Sequence, residues 1–232
     1  MFFLFTPVAV AALVACLRGR SLASLASQRL AWWPLGLAAF GVEAVLTWTP
    51  LGEQPWALAW GSSLWLGALA AMLATLGRNA WLRGGAARGA WTIAAVGVGL
   101  NLLVVLVNDG HMPQSQAGRL AAGVSTESVA GLSSRAGWRN VAPMTTETRL
   151  AWLGDIFPQP SWQPSRNVMS VGDLLLAVGL AGAVYLAMSP RPDEPRRHRT
   201  RRERSRIRYS TRHLPPGQTV STLPHTGSTP SR

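Results

Sequence analysis

Between residues 1 and 188 the chain carries 11 arginines, no lysine and 7 acids, so about nine positions in ten offer water no charge. A soluble domain usually has roughly 25% charged residues, whereas the whole chain has 14%. Such scarcity excludes an ordinary cytosolic enzyme and points to a chain solvated largely by lipid. Five apolar stretches fit that reading, at about 1–17, 30–49, 55–77, 90–108 and 170–188. Each is near the ~20 residues that a helix needs to cross a hydrocarbon core of about 30 Å. The segment 109–169 is too polar to cross. The expected fold class is all-α: a polytopic membrane helix bundle of about five transmembrane helices. It has an extracytoplasmic loop subdomain over 109–169 and a disordered C-terminal tail over 189–232. No internal repeat is apparent, which argues against an inverted-repeat transporter.

Arginine placement orients the bundle. Arg18, Arg20 and Arg29 follow the first stretch, Arg78, Arg83 and Arg88 lie between the third and fourth, and the tail holds 11 more. On one side these make 17 of the 22 arginines. The N-terminus is then extracytoplasmic, the tail cytoplasmic, and the protein is expected in the cell membrane as a multi-pass chain. Tryptophan gives the same answer. Trp32, Trp33, Trp81 and Trp91 fall at the inner ends, and Trp48, Trp56 and Trp60 at the outer ends, as an interfacial belt requires. Leu13-Val14-Ala15-Cys16 has the form of a lipobox, but no basic segment precedes it and Arg18 and Arg20 follow it. That arrangement favours an uncleaved first helix.

Beyond the bilayer itself, the partner expected for the tail is the layer of anionic lipid headgroups. Arg196-Arg197-His198-Arg199 and Arg201-Arg202 dominate a Pro/Ser/Thr-rich stretch with nothing to bury. No aromatic interleaving or folded module supports nucleic acid as a partner. A single cysteine, Cys16, and four scattered histidines argue against a metal site. No nucleotide-binding or hydrolase signature implies a cofactor.

Polar residues inside the apolar stretches are candidates for a site. Glu43, Ser62, Ser63 and Asn101 share a layer roughly 10 Å below the outer surface at 1.5 Å per residue. A carboxylate there costs on the order of 2.5–3.5 kcal/mol, so Glu43 should face the bundle and find a partner among the other three. Small residues four apart supply packing faces: Gly67 and Ala71, Ala95 and Gly99, Gly179 and Ala183.

The segment after the fourth stretch contains three motifs: Asn108-x-Gly110-x-Met112-Pro113, Thr145-x-x-Thr148-Arg149-Leu150-x-x-Leu153-Gly154-Asp155-Ile156-x-Pro158, and Ser170-x-Gly172-Asp173. Leu150, Leu153 and Phe157 fall on one helical face, which predicts an apolar segment on the membrane surface or in the bundle mouth, with Trp152, Ile156 and Trp162 nearby. Together the motifs resemble an uncharacterised family of small bacterial multi-spanning membrane proteins carrying a domain-of-unknown-function label. That resemblance spans about residues 1–188 and implies a bacterial membrane protein without implying an activity. In its pattern the position of Asp109 is usually glycine.

A local similarity to lipoprotein signal peptidase rests on Asp155 and Asp173, the second within Asn167-x-x-Ser170-x-Gly172-Asp173 at the start of the last helix. It implies a catalytic pair that activates water. The remaining peptidase motifs are not reproduced, and the span count is five rather than four. Local structure offers another role for each acid. Ser170 and Asp173 form a capping-box pattern, and Asp155 sits after Gly154 in a turn. Three functional classes follow: a non-enzymatic membrane component, an aspartyl hydrolase using Asp155 and Asp173, and a solute or ion pathway around Glu43.

Overall fold

Each apolar stretch is a helix in the computed structural model, which describes residues 2–126, 140–160 and 167–188. The chain divides into two units, 1–191 and 192–232, and all described residues lie in the first. The expectations for the tail and for Trp162 fall outside the described residues.

Helix α1 runs over Phe2–Leu17, the short α2 over Ala23–Ala26, α3 over Trp33–Trp48, α4 over Pro55–Leu82 and α5 over Gly85–Val107. Prolines open two of them. Pro34 and Pro55 sit in the first turns of α3 and α4, where a missing N–H costs nothing. Between α3 and α4 a 3-10 turn, Pro50–Glu53, starts where the Thr49 side chain accepts from the Leu51 amide. Gly52 packs so closely on the Leu46 carbonyl that a Cβ would overlap it. After α5 come strand β1 (Met112–Gln114), helix α6 (Gln116–Ala121), strand β2 (Val141–Pro143), a 3-10 turn (Ala151–Leu153), strands β3 (Phe157–Pro158) and β4 (Val168–Met169), and helix α7 (Val171–Ala187).

The protein is mostly helical, with two helices, α4 and α5, long and apolar enough to cross a membrane; α1, α3 and α7 are apolar and shorter. Two small sheets modify the all-α expectation. β1 pairs with β2 in parallel, and β3 with β4 antiparallel. The expected helical face at Leu150, Leu153 and Phe157 is also replaced. Leu150 adopts φ +52°, which a helix cannot continue through, and a single 3-10 turn follows. Leu153 is buried in the core while Trp152 and Phe157 are exposed.

Contacts place the long helices in the order α1, α7, α5, α4, α3, with α5 against α7 the most extensive pairing. Small residues make that pairing close. A Cβ at Gly179 would overlap the Ala94 backbone, and one at Gly97 would overlap the Gly172 carbonyl. The glycines of the other two predicted packing pairs differ: Gly67 has nothing within 4 Å of an added Cβ, and Gly99 meets only Leu73 at 3.8 Å, so neither is a close-approach position.

The bundle's two ends differ in charge. At one, Arg20 donates to the Tyr185 and Met188 carbonyls that end α7, at 3.1 and 2.8 Å, and Arg18 donates to the Tyr185 hydroxyl. Asn79 clasps both backbone groups of Ala31, and Arg83 reaches Gln28 and the Arg29 carbonyl. The linker 18–32, the α4–α5 turn and the end of α7 therefore share one face. The acids gather toward the other.

Candidate functional site

The three loop motifs converge on a cavity of about 100 Å³ at the acidic end. Its wall includes Met112 from the first motif, Asp155 from the second and Asp173 from the third, with Glu43 from α3, Trp65 from α4 and Asn101 from α5. Local geometry explains why these residue types stand where they do. Asn108 accepts from the Arg149 amide at 3.0 Å and donates to the Arg149 carbonyl at 2.9 Å, tying the first motif to the second. Asp109 and Gly110 take φ +55° and +81°, a left-handed turn in which glycine at the first position would be unstrained. Gly154 lets the chain lie against β1, since a Cβ there would sit 2.6 Å from the Pro113 carbonyl oxygen.

That approach fixes Asp155. Its amide donates to the Pro113 carbonyl at 2.9 Å and its carbonyl accepts from the Ser115 amide at 2.8 Å, so it extends the β1–β2 pair by one more bridge. The side chain is buried and accepts from Gln114 Nε2 at 3.1 Å, rather than from its own turn as the sequence suggests. Gln114 is itself oriented. Its Oε1 accepts from Arg119 at 3.1 Å, leaving Nε2 for Asp155 and for Asn167 Oδ1 at 3.2 Å. Burial pushes the Asp155 carboxyl well above the usual range, and the nearby Asp173 carboxylate pushes it further.

Asp173 is held differently. The expected capping box is present: Ser170 Oγ accepts from the Asp173 amide at 2.9 Å, and Asp173 Oδ2 accepts from the Ser170 amide at 3.1 Å. Asp173 Oδ1 also accepts from Asn101 Nδ2 at 2.8 Å, and Ser170 Oγ donates to Asn101 Oδ1 at 2.8 Å. Gly172 makes room for this network, since a Cβ there would overlap Asn101 Oδ1. Asn101 thus joins α5 to the first turn of α7 through both ends of its amide.

Of the polar layer read from the sequence, Glu43 and Asn101 line the same cavity. Ser62 and Ser63 do not. Ser62 packs under Gly110, and Ser63 is exposed, because equal depth along two helices does not put side chains on facing sides. Sequence reasoning missed Gln114, Arg119, Asn140 and Trp65. Trp65 is 7% exposed, and its indole N–H has no hydrogen-bond partner among the described residues. No group of three or more His, Cys, Asp or Glu suited to a metal ion occurs among the described residues.

A mostly helical protein, with a loop subdomain folded over an acidic pocket, is the class these features define. The chain belongs to the family of unknown function DUF5317, whose model matches residues 29–185. All three motifs and every cavity residue named above lie inside that range; α1 lies outside it. No curated protein and no solved structure matches the chain.

Proposed function

We propose that this chain is a non-enzymatic integral membrane component that crosses the bilayer five times, through α1, α3, α4, α5 and α7. Its N-terminus is extracytoplasmic, and its Arg-rich tail meets anionic headgroups on the cytoplasmic side. The acid pocket locks the outer loop onto the bundle. The observation that carries this reading is the distribution of apolar residues. Ala15 and Ala94 are 0% exposed, while Leu17, Val178 and Leu37 are 78%, 62% and 60% exposed. In water that arrangement would leave large apolar faces uncovered. In lipid, small residues inside and large ones outside are what packing requires. The arginine-bearing linkers share one end, supporting the orientation. Helices of 16 or 17 residues reach about 24–26 Å, a mismatch that bilayer thinning and flanking residues absorb. Alkaline carbonate washing of expressing membranes is the test. Retention in the pellet is expected, and release into the supernatant would overturn the reading.

One observation favours a second reading, an aspartyl hydrolase. Asp155 and Asp173 share a cavity in unlike settings: Asp155 is buried and pushed toward its protonated form, and Asp173 accepts from the Ser170 and Asn101 N–H groups. Such a split pair suits an acid and a base acting on one water. The cavity of about 100 Å³ admits waters of ~30 Å³ each, whereas a peptide would have to displace the loop. Cleavage of a lipoprotein precursor by the wild type, lost in Asp155→Asn and Asp173→Asn at unchanged abundance, would establish it. Absence of wild-type cleavage would reject it. The solute-pathway class has less support. Leu69 lines the cavity, and Leu76, Ala94, Val98 and Leu176 pack the bundle with apolar side chains.

A further inference from the structure

We propose that the cleft between α4 and α5 binds one anionic phospholipid, with the phosphate at Arg88 and an acyl chain along the helices. The proposal rests on the membrane reading above. The cleft has a volume of about 420 Å³ and an almost wholly apolar lining that includes Leu73, Gly77, Ala95 and Gly99. Arg88 and the 76%-exposed Trp81 stand at one end of it. From Arg88 to Gly99 the wall follows α5 for 11 residues, about 16 Å. Half of a hydrocarbon core of about 30 Å is nearly the same length, so the cleft runs one leaflet deep.

Charge selects the headgroup. The segments 18–42 and 54–108 contain six arginines, Arg18, Arg20, Arg29, Arg78, Arg83 and Arg88, and no acid. Hydrogen bonding leaves the relevant cation available. Arg88 Nε donates to the Arg83 carbonyl at 2.8 Å, which fixes the guanidinium beside the cleft, and no hydrogen bond from its Nη atoms occurs among the described contacts. Arg83 is held alongside by Gln28, by the Arg29 carbonyl and over the Trp91 ring at 5.5 Å. A basic end between helices, with an aromatic at headgroup level and an apolar slot below, suits an anionic lipid of that leaflet and not a zwitterionic one.

The test titrates the full chain in detergent with phosphatidylglycerol and, separately, phosphatidylcholine of the same acyl chains, counting bound lipid by native mass spectrometry. The wild type should bind phosphatidylglycerol preferentially. Arg88→Gln should weaken that binding about five-fold, the factor for one arginine near the surface. Gly77→Leu should abolish it by filling the slot, because Gly77 lines the cleft and nothing lies within 4 Å of a Cβ there. Gly99→Leu, whose Cβ meets only Leu73 at 3.8 Å, should act likewise. Equal binding of the two lipids, or no effect of Arg88→Gln, would overturn the proposal. So would unchanged binding in both glycine variants, which would mean a headgroup patch without a chain site, or displacement by inorganic phosphate. Carbonate extraction reports on the membrane reading separately, so the two can fail independently.

Discussion

Replacing Gly179 with alanine should destabilise the protein although alanine is the better helix former. In an open helix the exchange would gain roughly 0.5–1 kcal/mol. At Gly179 the new Cβ would lie 2.7 Å from both Cα and Cβ of Ala94, where ordinary contact begins at 3.4 Å. The Ala94 amide nitrogen would be closer still, so helices α5 and α7 would have to part by more than about 0.7 Å along their closest pairing. Overpacking of this kind costs about 1–3 kcal/mol. After the propensity gain, a net loss of about 1–2 kcal/mol remains, or a Tm lower by roughly 2–8 °C for a chain of this size. Gly67→Ala is the matched control, since an added Cβ there meets nothing within 4 Å; its Tm should stay level or rise. Thermal unfolding of both variants in one detergent, followed by tryptophan fluorescence, reads the difference. Equal shifts of the same sign would refute the close α5–α7 contact.

Two further predictions concern the pocket. Asn101→Leu leaves the Ser170 hydroxyl and Asp173 Oδ1 without their buried partner, and should cost about 1–3 kcal/mol in the same unfolding assay; a neutral result would remove Asn101 as the link between α5 and α7. Asp155 has a raised pKa when folded, so the folded state keeps a proton that the unfolded chain releases near pH ~3.9. The stability it contributes is fully present below that value and is lost as pH rises through the folded pKa. Tm should accordingly decline as pH rises from the unfolded pKa toward the folded one, and Asp155→Asn should flatten the decline; identical profiles would contradict the shift.

The sequence was most informative where composition alone decides structure. Apolar runs became helices α1, α3, α4, α5 and α7 within a few residues of the expected bounds, since a long apolar run has few alternatives to a helix. It was least informative in the loop. β1 and β2 are three residues each, and β3 and β4 two each, too short for any period to register. Leu150 looked like part of a helical face because spacing does not reveal a left-handed φ. Depth along the helices puts Glu43, Asn101, Ser62 and Ser63 in one layer, but only Glu43 and Asn101 line the cavity, because depth does not specify the face. The meeting of Asp155 with Asp173 depended on motif resemblance. Gln114 and Arg119 carried no signal at all, since Gln114 is placed by the bridge between β1 and Asp155, and Arg119 by the turn of α6 that follows β1.

Topology is the most direct test of the central claim. Reporter fusions after Arg20, Arg88 and Met188 sit at the arginine-bearing end, and one after Gly123 sits in the loop beyond α6. The five-span, N-out arrangement predicts a cytoplasmic signal from the first three and an extracytoplasmic signal from Gly123. A cytoplasmic signal at Gly123 would contradict it.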